Sequence, residues 1–146
     1  ILIWLVMKIW MYGVMNKKKN YKKTAKRTID LQISALSKLK RTIGDSFNEA
    51  VKIIGDCKSK CILVGVGKSG HLANLIASSL NSIGASSFAL QSAGDAAHGD
   101  LGAISTSTNK DVLILISNSG SSSELNPIIT FSKKHGIKII GITSKK

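Results

Sequence analysis

The run Cys61-Ile-Leu-Val-Gly-Val-Gly-Lys-Ser-Gly-His71 constrains the fold of this 146-residue chain more than any other stretch. Ile62–Val66 is a short apolar run of the kind that forms a buried parallel strand. Directly after it, Leu72, Leu75, Ile76 and Leu80 recur at helical spacing. Strand and helix are separated only by Gly65, Gly67 and Gly70, with Lys68 and Ser69 among them. A glycine turn that opens a helix leaves amides pointing outward, and the helix dipole adds positive potential there. Such a loop suits a phosphate.

A second stretch repeats the pattern. Val112-Leu-Ile-Leu-Ile116 is fully apolar and runs into Ser117-Asn-Ser-Gly-Ser-Ser-Ser-Glu124, a loop rich in hydroxyls at the expected start of another helix. Ser121 and Glu124 have the spacing of a capping box. In a doubly wound sheet, ligands bind outside the carboxyl ends of the strands, where the strand order reverses. If these are the first and third strands of a flavodoxin-like order, both loops border the same crevice.

The rest of the chain supports that architecture. Strands are predicted near 61–66, 86–91, 112–117 and 137–142, with helices over 69–82 and 122–135. This βαβ rhythm implies a parallel sheet with right-handed crossovers. Pro127 falls inside the last predicted helix and is expected to kink it, and Gly136 is placed to end it. Ahead of the sheet, Ile29, Ile33, Leu36 and Ile43 mark one helix over about Lys22–Arg41. Ser46 and Glu49 form a capping-box pattern that opens a second, with Phe47, Ala50, Val51 and Ile54 on one face. Both are expected to pack on the sheet as a lead-in. The fold class is therefore α/β, a doubly wound parallel sheet with two lead-in helices. The sheet reads as incomplete, because a bare final strand over Ile137–Ile142 would leave a long apolar edge. Residues 1–21 read as an extension outside the domain, and 22–146 as the N-terminal part of a larger domain.

The segment from Gln91 to Thr108 is long, lacks periodicity and holds Asp95, His98 and Asp100. Loops of that length in compact domains tend to be functional.

The net charge of +13 invites a nucleic-acid reading, but ten of the 21 basic residues lie between Lys17 and Arg41, ahead of the first strand. Aromatic content is only 5%, and no basic run is interleaved with aromatics. No nucleic-acid partner is expected. A phosphorylated substrate is an anion that the same charge can steer. Cys57 and Cys61 are spaced C-x3-C with no second ligand pair, which fits two small thiols in a reducing cytoplasm better than a zinc site.

Residues 1–15 are apolar but interrupted by Lys8, and they fall short of the roughly 20 apolar residues that span a bilayer. Basic residues follow this run rather than precede it, unlike a secretory signal. No integral membrane span is expected. The stretch reads as an upstream extension with a natural start near Met15, the competing reading being a surface anchor backed by the lysines.

Two nucleotide motifs fail. Gly65-x-Gly67-x-x-Gly70 matches a dinucleotide fingerprint, yet the second predicted strand ends in Leu90-Gln91, without the acid that takes the ribose hydroxyls. A P-loop needs glycine where Ile62 stands.

Three motifs together resemble the sugar isomerase (SIS) domain, in particular its arabinose-5-phosphate isomerase branch. They are Gly65-Val-Gly-Lys-Ser-Gly-His71, Ala97-His-Gly-Asp-Leu-Gly102 and Ile116-Ser-Asn-Ser-Gly-Ser-Ser-Ser-Glu-Leu125, and the resemblance extends over about Lys22–Lys146. It implies that Ser69, Ser117, Asn118, Ser119 and Ser122 hold a phosphate. It implies catalytic parts for Lys68 and Glu124, and substrate contacts for His98 and for Gly84-Ala85, where alanine replaces the family's threonine. The implied reaction interconverts ribulose 5-phosphate and arabinose 5-phosphate through an enediol, in the supply of a lipopolysaccharide precursor. The implied setting is a cytoplasmic homo-oligomer with its site between subunits.

The chain also departs from the family. Gln91-Ser92 stands where the family has a His-Pro linked to metal binding, so no metal and no other cofactor is expected. Ser121 replaces the first glutamate of the serine loop. The family's remaining catalytic glutamate and histidine, and the paired CBS domains that often follow, would lie beyond Lys146. Two alternatives belong to the same superfamily, a non-catalytic sugar-phosphate sensor and an isomerase for another phosphosugar. The bland readings are Glu124 as a helix cap and Lys68 as a solvated turn lysine, with His71 structural and His135 a dipole partner at a helix end.

Overall fold

The computed structural model describes residues 20–90, 100–107 and 110–145. The chain divides into two units, residues 1–47 and 48–146.

The first unit carries α1 (Tyr21–Thr42), capped by the Asn20 side chain, which accepts the Lys23 N–H at 3.0 Å. Its apolar residues Ile29, Leu31, Ile33, Leu36 and Leu39 are all exposed. The packing on the sheet expected of a lead-in helix is seen for α2 (Asp45–Gly55), whose Ile53 and Ile54 enter the core. Ser46 lies inside α2 rather than capping it.

The second unit is built on β1 (Cys61–Gly65), β2 (Ser87–Leu90), β3 (Val112–Ile116) and β4 (Lys138–Ile142), joined by α3 (Lys68–Ser82) and α4 (Asn126–Lys134). All pairings are parallel and the order is β2-β1-β3-β4. The order reverses between β1 and β3, as the flavodoxin-like reading requires.

Side chains alternate across each strand, and both faces are covered. Leu63, Val112 and Ile114 meet Ala73 and Ala77 of α3 together with α2. Ile62, Val64, Leu113 and Leu115 meet Ile128 of α4 and Leu125. Helices on opposite faces of one parallel sheet make the fold doubly wound. Among the described residues β4 pairs only with β3, and Ile142 is exposed.

One helix differs from expectation. The predicted span 122–135 divides into a 3-10 turn over Ser123–Leu125 and α4 from Asn126. Pro127 falls in the first turn of α4, where its missing N–H would have no intrahelical partner. It starts the helix rather than kinking it.

Candidate functional site

Each glycine of the first loop has its own physical reason. A Cβ on Gly65 would lie 2.5 Å from the backbone carbon of Ser69, and one on Gly70 would lie 2.9 Å from the Gly65 oxygen. The end of β1 and the start of α3 thus pack backbone to backbone. Gly67 takes φ +57° at the helix N-cap. The result is a helix that begins with Lys68, three residues past the strand.

The turn uses some of the amides expected to be open. Ser69 N–H donates to Val66 O at 3.1 Å and Gly70 N–H to Gly67 O at 3.0 Å. Beside its remaining amides, the turn offers an anion the exposed Lys68 ammonium and the half-buried Ser69 hydroxyl.

The second loop is organised by its own serines. Buried Ser117 accepts Gly120 N–H on its Oγ at 3.1 Å, and that Oγ lies 3.0 Å from Ser122 Oγ. Ser119 Oγ accepts Ser121 N–H at 3.3 Å. Gly120 supplies the positive φ, +71°, that closes the turn. The expected capping box is absent. Ser121 does not cap α4, and Glu124 instead lies exposed in the 3-10 turn, where Ser123 Oγ donates to its Oε2 at 3.4 Å.

Sequence reasoning missed the residues that hold this loop from the side. Ser117 N–H donates to Ile142 O at 3.0 Å. Beyond β4, Ser144 donates to Asn118 O through both its N–H, at 3.4 Å, and its Oγ, at 2.6 Å. Thr143 Oγ1 stands 3.0 Å from the point a Cβ on Gly120 would occupy. The signal was present in the topology, since a fourth strand beside the third ends next to the serine loop.

The sheet register sets these pieces side by side. Gly65 pairs with Ile116 and Ile116 with Ile142, so three adjacent strands finish at one level. Lys68, Ser69, Ser117, Asn118, Ser119, Ser122 and Glu124 all follow within a few residues of that level. Gly84 and Ala85 do not join them. They close α3, with Gly84 at φ +86° donating to Asn81 O and Ala85 N–H donating to Leu80 O. The next strand then begins beside Cys61, at the opposite end of the sheet. His98 lies outside the described residues, as does Asp95. No cluster of three metal-ligating side chains occurs among the described residues.

With two hydroxyl-bearing loops meeting at a switch point, the comparison with known proteins is decisive. The SIS domain model matches residues 53–146. The chain belongs to the SIS domain family. Arabinose 5-phosphate isomerase KdsD of Francisella tularensis is 43% identical over 123 residues, which make up 82% of this chain and 36% of that protein. The KdsD of Pseudomonas aeruginosa is 38% identical over 129 residues, 88% of this chain and 38% of that protein. The SIS chain thus spans well under half the length of these curated relatives. An Escherichia coli CFT073 protein solved in complex with arabinose 5-phosphate superposes with a TM-score of 0.76 at 31% identity, over 88% of this chain and 67% of that one. No described helix of this SIS domain is long and apolar enough to cross a membrane.

Proposed function

We propose that this SIS domain binds the phosphate of arabinose 5-phosphate between the turn at Lys68–Ser69 and the loop at Ser117–Ser122. It takes part there in the isomerisation to ribulose 5-phosphate. The observation that carries the reading is the juxtaposition of the two loops at the β1–β3 switch point, with Gly65 in register with Ile116. The relatives named arabinose 5-phosphate isomerase support the choice of sugar.

The reaction moves a proton between C1 and C2 through an enediol. Lys68, a cation at the mouth of the crevice, is assigned to the oxygen that gains charge. Glu124 is assigned to proton transfer, and His98 to the sugar. Gly84 and Ala85 lie at the other end of the sheet from these two loops and are given no role in the site. The reading takes a homo-oligomeric, cytoplasmic enzyme of carbohydrate metabolism as its setting.

The test is turnover of ribulose 5-phosphate in heavy water. Arabinose 5-phosphate carrying deuterium at C2 is expected. Lys68→Ala and Glu124→Gln should each lower the rate by roughly a hundredfold or more. Phosphosugar binding without exchange would instead support the non-catalytic sensor, and unchanged turnover in both variants would remove these residues from the chemistry.

A further inference from the structure

The two cysteines lie at the end of the sheet away from the sugar-phosphate loops, and nothing in the proposed isomerisation uses them. Cys57 follows α2 and is half-buried, while Cys61 opens β1 and is buried. Cys57 packs on the hydrophobic cluster that contains Cys61, four residues along the chain, and lies close enough to influence its proton. A cavity of about 210 Å³ reaches Cys57 from solvent. Lys58, Lys110 and Lys138 line it together with Asp56 and Asp111. Asp111 is already occupied, accepting from Ser59 Oγ, Lys60 N and Ser105 N, and Lys110 Nζ donates to His135 O at 2.7 Å. Three lysines against two aspartates leave the rim with a cationic excess.

We propose that Cys57 and Cys61 form a reversible dithiol–disulfide pair, entered at Cys57 by a small disulfide that carries carboxylates. The Cys57 thiolate attacks one sulfur of that disulfide, forming a mixed disulfide and releasing one small thiol. The Cys61 thiol then loses its proton and attacks Cys57 Sγ, which releases the second small thiol. Two electrons pass from the protein thiols to the incoming disulfide, and two small thiols leave. Disulfides in a reducing compartment are commonly transient and redox-sensing, which matches a pair of this kind.

The order of attack follows from exposure and acidity. Burial, with the nearby Cys57 and Asp111, pushes the Cys61 thiol up to about 11, with Ser87 acting the other way. Cys61 is thus protonated near neutrality and acts second. Closure should accelerate as pH rises towards that value.

The experiment treats the full native chain with oxidised glutathione, alkylates the remaining thiols and weighs the product. The wild type should lose both alkylation sites, carry no glutathione and weigh two hydrogens less than the reduced protein. Dithiothreitol should restore both thiols. Cys61→Ser should hold glutathione on Cys57. Two alkylated cysteines in the treated wild type, or a glutathione adduct that persists on it, would overturn the proposal. Neither outcome depends on the isomerase reading.

Discussion

Ser117 Oγ lies 3.0 Å from Ser122 Oγ while it accepts the N–H of Gly120 at 3.1 Å. One hydrogen bond between two hydroxyls uses one of their two hydrogens, so the pair keeps a donor for a ligand. Ser117, implied by resemblance to be a phosphate contact, is also the residue that shapes the loop.

Ser117→Ala is therefore expected to do two things. It leaves Gly120 N–H without its acceptor and should lower stability by about 1–2 kcal/mol in urea unfolding. It should weaken phosphosugar binding as well, whereas Ser122→Ala should weaken binding with a smaller change in stability. Equal stability losses in both variants would count against the structural part given to Ser117.

Gly65→Ala should be severe. A new methyl 2.5 Å from the Ser69 backbone forces β1 and α3 apart, with a loss on the order of 3 kcal/mol. Gly55, at the end of α2, has nothing within 4 Å of the point a methyl would occupy and serves as the control. Its change to alanine should be neutral or stabilising by about 0.5–1 kcal/mol. Thermal unfolding of the two variants measures the contrast directly.

Much of this is legible in the sequence because the signals are local. The apolar runs at 61–66 and 112–117, each followed at once by glycine or serine, mark both strand ends within a residue or so. What the sequence does not reveal depends on contacts between distant segments. The hold of Thr143 and Ser144 on the serine loop follows from the register of β4, which no short pattern reports. Pro127 reads as an interruption because periodicity alone does not fix its place relative to the helix start. Resemblance carries Gly84 and Ala85 into the site, yet the direction of α3 takes them to the far end of the sheet. Glu124 has a capping spacing, but a 3-10 turn occupies that stretch in place of an α-helix.

Ser132 offers a test of the core. Its hydroxyl is fully buried on α4 and has no hydrogen-bond partner among the described residues. An unpaired buried hydroxyl is unfavourable, so Ser132→Ala should raise stability by about 1 kcal/mol. A loss of stability in urea unfolding would mean that the hydroxyl has a partner in solution.

Alkaline pH should destabilise the fold through Cys61. Its thiol is raised from 9.0 to about 11 by burial first of all. Between these values the folded chain holds a proton that the unfolded chain has released, so stability falls as pH rises. The contribution is intact below pH 9.0 and is lost as pH passes about 11. Cys61→Val should flatten this part of the profile, measured by urea unfolding of reduced protein at a series of pH values.

The most direct test of the site is calorimetric titration of arabinose 5-phosphate into the folded chain and its Ser119→Ala variant, in metal-free buffer. Saturable binding to the parent is expected, weakened roughly tenfold or more in the variant, the loss appropriate to a hydrogen bond with a charged group. Equal affinity of the two proteins, or no binding to a parent whose fold is verified by circular dichroism, would contradict a phosphate site at the serine loop.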